Sequence, residues 1–139
     1  MCNVLVIDDE GMIRSLVKHA LQQLNYAVET AQDGRAGIAK FDMGSYDLVI
    51  TDVCMPEADG HQVVNHIRNS AFGETPVIGM SGTPWNLNNH CFDEVLPKPF
   101  AIDQLMETAR SLTAGRCQPG SYYAADIPGE SVKPRLTTS

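Results

Sequence analysis

The stretch Asn3-Val4-Leu5-Val6-Ile7-Asp8-Asp9-Glu10-Gly11 decides the fold of this chain. The unbroken apolar run from Val4 to Ile7 matches a short strand covered on both faces, and an acidic turn follows at once. Beyond the turn the period changes. Ile13, Leu16, Val17, Ala20, Leu21 and Leu24 fall at i, i+3, i+4, i+7, i+8 and i+11, one apolar stripe on a helix. A buried strand, a turn and an amphipathic helix are the opening of a βαβ unit, which implies an α/β fold with a parallel sheet.

The same alternation continues along the chain. Tyr26 to Thr30 reads as a second strand, and Asp33-Gly34 as a turn into a helix carrying Ile38 and Phe41. Gly37 weakens that helix by roughly 1 kcal/mol relative to alanine. Asp47 to Thr51 is a third strand, and a loop from Asp52 to Gly60 follows, broken by Pro56 and Gly60. Val63, Val64 and Ile67 mark a third helix, Pro76 to Met80 a fourth strand, and Glu94 to Leu96 a short fifth. Ile102, Leu105, Met106, Ala109 and Leu112 line a last helix. From Gly115 onward, Gly115, Pro119, Gly120, Pro128, Gly129 and Pro134 punctuate a stretch without periodicity. The expected organisation is one domain over residues 1–114 and a mobile tail or linker over 115–139.

A net charge of −7 argues against a nucleic-acid or anionic-membrane partner. No apolar run approaches the roughly 20 residues that span a bilayer, and no basic leader precedes the first strand. Cys2, Cys54, Cys91 and Cys117 form no close pair in sequence and have no histidine at ligand spacing. Reduced thiols in a cytoplasmic protein are therefore expected.

In a parallel α/β sheet, ligands bind outside the carboxyl ends of the strands. There the first strand delivers Asp8 and Asp9, the third Asp52, the fourth Ser81, and the fifth leads to Lys98. Three neighbouring carboxylates raise one another's pKa unless cations answer them. Lys98 answers one charge; a hard ion such as Mg2+ answers the rest. With the metal present a carboxylate can attack phosphorus and form an aspartyl-phosphate. Asp52, central among the strands, is the candidate nucleophile. Asp9 is the candidate direct metal ligand, Asp8 binds through water or orients Asp9, and the Cys54 carbonyl completes the set. Lys98 and Ser81 can hold the remaining phosphoryl oxygens. Singly, each residue has an ordinary explanation: Asp8 or Asp9 as a helix N-cap, Asp52 and Ser81 as turn residues, Lys98 as a solvated charge. One suitable group at each of four strand ends is what points to a site.

These residues carry a resemblance. Residues 2 to about 114 resemble the receiver domain of bacterial response regulators, through Val4 to Glu10, Asp47 to Gly60, Val77 to Gly82, and Leu96-Pro97-Lys98-Pro99-Phe100. The resemblance implies a flavodoxin-like, doubly wound, five-stranded parallel sheet of order 2-1-3-4-5. It implies that Asp52 is the phosphoacceptor, that Asp8 and Asp9 serve Mg2+, that Ser81 binds the phosphoryl group and that Lys98 contacts it. The implied donor is a phosphohistidine on a sensor histidine kinase or phosphotransfer protein. Such a domain catalyses only its own phosphorylation and dephosphorylation, and signals to a downstream protein by contact.

Two features depart from the family pattern. Val95 stands three positions before Lys98, where the family usually has an aromatic switch residue, which leaves Trp85 or Phe92 as substitutes. Only 16 residues separate Ser81 from Lys98, and they include Pro84, Asn86, Asn88 and Asn89. The helix between the fourth and fifth strands is thus expected to be shortened or irregular. Cys54 and Thr83 are expected to tune the phosphoryl lifetime.

A phosphatase of the haloacid-dehalogenase type needs a second aspartate two residues after the nucleophile, where this chain has Cys54. No P-loop or G-x-G-x-x-G follows any strand. The remaining alternative is a receiver-like binding module that does not use phosphorylation. With no output domain evident after the receiver, a stand-alone relay intermediate, phosphate sink or adaptor is expected.

Overall fold

The computed structural model describes residues 2–55, 58–82 and 91–117. The described elements are β1 (Asn3–Ile7), α1 (Gly11–Gln22), β2 (Ala27–Ala31), α2 (Gly34–Met43), β3 (Leu48–Asp52), α3 (Gly60–Arg68), β4 (Val77–Ser81), β5 (Glu94–Pro97) and α4 (Ile102–Thr113). All strand pairs are parallel, in the order β2-β1-β3-β4-β5. This is the flavodoxin-like arrangement expected from the sequence.

Alternate side chains of a strand point to opposite faces. Val4 and Val6 of β1 accordingly enter a core with Val17 and Leu21 of α1 and Leu105 and Ala109 of α4. Leu5 and Ile7 enter the opposite core, with Phe41 of α2 and Val63, Val64 and Ile67 of α3. Both faces of the sheet are therefore covered, which explains the continuous apolar runs. Asp33 caps α2, accepting from the Ala36 N–H at 2.8 Å, and Asp59 with Gln62 forms a reciprocal capping box at the start of α3. Arg68, at the end of α3, donates to the carbonyls of Gly73, Thr75 and Cys91 and to the Asp93 carboxylate. Asp93 in turn accepts from the Val77 N–H at 2.7 Å. Those bonds fix the entry of β5 against that of β4.

Several element boundaries differ from the sequence reading. β2, β3 and β4 each begin and end one residue later. Pairing with the neighbouring strand extends them, since Asp52 stands opposite Met80 and Ser81 opposite Pro97. Asp52 is thus the last residue of a strand rather than the first of a loop. α1 stops at Gln22, and the chain turns through Asn25 at φ 66, a conformation asparagine tolerates. Leu24 lies beyond that end, and Leu16 is exposed along with Met12, so the buried stripe narrows to Val17, Ala20 and Leu21.

The expected shortening of the helix between β4 and β5, and the placement of Thr83, Pro84 and Trp85, concern residues 83–90, outside the described residues. Pro56 and the tail from residue 118 also lie outside them.

The expectation of four reduced thiols is corrected. Cys2 and Cys117 form a disulfide with Cα atoms 5.1 Å apart, a spacing ordinary for such bonds, while Cys54 and Cys91 are free. Gly115, at φ 82, reverses the chain beyond α4 and returns Cys117 to the start of β1. No described helix is long and apolar enough to cross a membrane.

Candidate functional site

The carboxyl edge of the sheet gathers the acidic residues. β1 ends one residue before Asp8, whose N–H donates to the Ala31 carbonyl at 3.1 Å. That bond and the one from the Arg14 guanidinium to the Asp8 carbonyl, 2.7 Å, hold the turn. The Asp8 carboxylate is fully buried and accepts from the Glu10 N–H at 2.8 Å. α1 has Glu10 at its N-cap position with no side-chain cap, so neither Asp8 nor Asp9 is spent there. Asp52, at the end of β3, is 6% exposed. Asp8, Asp9 and Asp52 each offer an oxygen within 4.8 Å of the others, and Asp9 is the exposed member.

The Lys98 ammonium ties this cluster together. Its Nζ lies 3.1 Å from Asp8, 3.3 Å from Asp52 and 3.6 Å from Glu10. Lys98 follows β5 directly, and its N–H donates to the Ser81 carbonyl at 2.8 Å, which fixes the lysine to the end of β4. Ser81 ends β4 and is buried; Cys54 lies two residues beyond Asp52 with an exposed side chain. Asp52 is held from behind by α3. A Cβ on Gly60 would stand 2.7 Å from the Asp52 carbonyl oxygen, and the Gly60 N–H donates to the Val53 carbonyl at 2.9 Å.

Burial dominates the electrostatics. It pushes the Asp52 carboxyl up to about 6, helped by Asp8 and opposed by Lys98. Burial also raises Asp8, against the Glu10 N–H and Lys98. For Lys98, burial alone would lower the ammonium, but Asp52 and Asp8 outweigh it and hold the group above its ordinary value. One ammonium facing the three aspartates and Glu10 leaves uncompensated negative charge at a crowd of hard oxygen donors. That donor chemistry fits Mg2+.

The structure thus brings Asp8, Asp9, Asp52 and Lys98 together and puts Ser81 and Cys54 at adjoining strand ends. Glu10 and Arg14 were missed by sequence reasoning, although their positions two and six residues after Asp8 could have signalled them. Val95 is half-buried in β5. Phe92 is buried against Gly79 of β4 and meets the His61 ring edge-on at 5.6 Å.

Comparison with known proteins agrees with this fold. The response regulator receiver domain family matches residues 4–110. The transcriptional regulatory protein ResD of Bacillus subtilis is 32% identical over 93% of this chain and 55% of its own length. TrcR of Mycobacterium tuberculosis is 32% identical over 78% of this chain and 44% of its own length, so the chain spans about half of these relatives. Among solved structures, the response regulator TrrA of Thermotoga maritima, in complex with Mg(2+)-BeF, is 36% identical with a TM-score of 0.74, covering 81% of this chain and 99% of TrrA. CheY4 of Vibrio cholerae, a chemotaxis response regulator, is 33% identical with a TM-score of 0.73, covering 81% of this chain and 98% of its own. With the family matched over most of the chain and the fold in register with these structures, this chain belongs to the response regulator receiver domain family.

Proposed function

We propose that the chain is a phosphoacceptor: Asp52 takes a phosphoryl group from a phosphohistidine on a sensor histidine kinase or phosphotransfer protein. The observation that carries this reading is Lys98 lying within 3.3 Å of both Asp8 and Asp52 at a three-carboxylate cluster. Asp9 and Asp52, with Asp8 and the Cys54 carbonyl, would hold Mg2+. Bound there, the ion supplies charge neutralisation between the nucleophile and the phosphoryl oxygens.

A carboxylate oxygen of Asp52 attacks phosphorus, a P–O bond forms, and the P–N bond to histidine breaks with its electron pair leaving on the nitrogen. Lys98 neutralises charge on one phosphoryl oxygen, and the Ser81 hydroxyl can donate to another. Near pH 7 the nucleophile is mostly ionised despite its raised pKa of about 6. The phosphorylated residue carries roughly −1.5 to −2 charges, which can draw Ser81 inward and move the chain that follows it. The output is contact with a downstream protein in the cytoplasm. Because the ResD and TrcR relatives are transcriptional regulatory proteins, control of transcription is one route for that output.

Incubation with Mg2+ and acetyl phosphate or phosphoramidate tests the reading by intact mass. Addition of one phosphoryl group, lost in chelator and in the Asp52→Ala variant, is expected. Rapid turnover of many phosphoesters would mark an enzyme instead, and no addition under any condition a binding module.

A further inference from the structure

We propose that Cys2 and Cys117 form a reversible thiol–disulfide site that fastens and releases the end of α4 at the sheet edge opposite the acidic cluster. Cys2 immediately precedes β1, whereas Asp8 immediately follows it, so the five residues of that strand separate the two sites. The bond closes the described domain across a sequence separation of 115. Asp47 completes the surroundings, with its carboxylate oxygen and both sulfurs all within 4.8 Å of one another. That carboxylate is held by the Asn3 N–H at 2.8 Å, and the Asp47 N–H returns a 2.7 Å bond to the Asn3 carbonyl.

Two observations favour reversibility over a permanent staple. Both cores are assembled from strand and helix side chains, so reduction leaves the packing of the sheet intact. Cys117 is partly exposed while Cys2 is only 7% exposed, which gives one sulfur open to exchange and one sheltered. In a cytoplasmic protein, the setting of the proposed function, disulfides are mostly transient or redox-sensing. On that reading a low-molecular-weight thiolate attacks Cys117, the S–S bond breaks, and Cys2 leaves as a thiolate that takes a proton. A second thiolate then attacks the mixed disulfide and releases Cys117, with the external thiols leaving as a disulfide. Oxidation runs in reverse: Cys117 attacks the external disulfide and Cys2 resolves it.

Release would loosen a defined region. The last turn of α4 is tied to Tyr26, the residue just before β2, through the Thr113 hydroxyl and the Tyr26 phenol, 2.9 Å apart. Arg116, next to Cys117, lines a cleft of about 450 Å³ with Tyr46, Phe72 and Glu74. Reduction removes the covalent tie at the residue next to Arg116.

The test equilibrates the full chain in reduced and oxidised glutathione at varied ratios, then counts maleimide-labelled thiols by mass under denaturing conditions. Two labels, on Cys54 and Cys91, are expected at the oxidising end and four at the reducing end, in one transition that retraces on return. Reduction is expected to lower the thermal midpoint by about 10 °C, and Cys117→Ser to show the lower midpoint in both buffers. Four labels at every ratio, or two labels even in strong reductant, would overturn the proposal. So would protection of the pair by Zn2+ that persists in oxidised glutathione, which would make it a metal site. The count does not involve Asp52, so it stays readable whether or not the chain accepts phosphate.

Discussion

Lys98 Nζ lies 3.3 Å from Asp52 Oδ1, although the two residues come from the ends of different strands. The contact exists because β3 and β5 flank β4 in a parallel sheet, which brings their carboxyl ends to one edge. Lys98 also meets the fully buried Asp8, so a single ammonium holds two carboxylates in place.

Removing that ammonium leaves the buried Asp8 carboxylate without its ion pair to Lys98. Lys98→Ala is expected to cost about 2–3 kcal/mol at neutral pH, a figure reduced for water reaching the site. Phosphorylation by a small donor should slow on the order of a hundredfold. Chemical denaturation and the rate of mass gain check the two effects. A variant as stable and as fast as the parent would mean the contact is incidental.

The raised carboxyl of Asp52 makes stability depend on pH in a stated direction. Its ordinary value is 3.8 and its folded value is about 6, so between these the folded state binds more protons than the unfolded one. Without metal, stability should therefore fall as pH rises from about 4 to about 6 and then level off. The change is on the order of 3 kcal/mol. Asp8 shifts the same way. Lys98, raised, adds stability below its unfolded value that is lost in the alkaline range. Asp52→Asn should flatten the acid slope and stabilise the metal-free protein near pH 7, as thermal melts across pH would record.

Mg2+ competes with the same proton. Below a pH of about 6, affinity should drop about tenfold per unit as a proton must leave Asp52 for the ion to bind. Isothermal titration between pH 5 and 8 reads this slope; a flat profile would separate Asp52 from the metal.

Gly60 packs α3 directly on the backbone of Asp52 and Val53, leaving no room for a Cβ, whereas nothing lies within 4 Å of a Cβ built on Gly82. Gly60→Ala is expected to destabilise by about 2 kcal/mol and to displace Asp52. Gly82→Ala should alter stability by less than about 0.5 kcal/mol. Denaturation of the two variants side by side decides the matter.

The apolar run Val4 to Ile7 and the helical spacing after Gly11 made the α/β architecture readable without coordinates, because buried parallel strands and amphipathic helices leave distinct periods. Asp8, Asp9, Asp52 and Lys98 were legible for a related reason: strand ends in such a sheet converge. Strand limits were less so. Whether β3 stops at Thr51 or Asp52 depends on the backbone of β4 beside it, which no local pattern records. The helical period also placed Leu16 on the buried stripe, but the helix packs through Val17, Ala20 and Leu21 and leaves Leu16 exposed. The Cys2–Cys117 bond had no local signature at all, since it depends on where the last helix ends relative to the first strand.

The central claim is best tested by trapping the acyl phosphate itself. Borohydride reduction converts a phosphorylated aspartate to homoserine, and peptide mass spectrometry then locates it. After treatment with Mg2+ and phosphoramidate, homoserine is expected at position 52 alone, and nowhere in the presence of chelator. Homoserine at Asp8 or Asp9, or none at all in the folded, metal-loaded protein, would contradict the account.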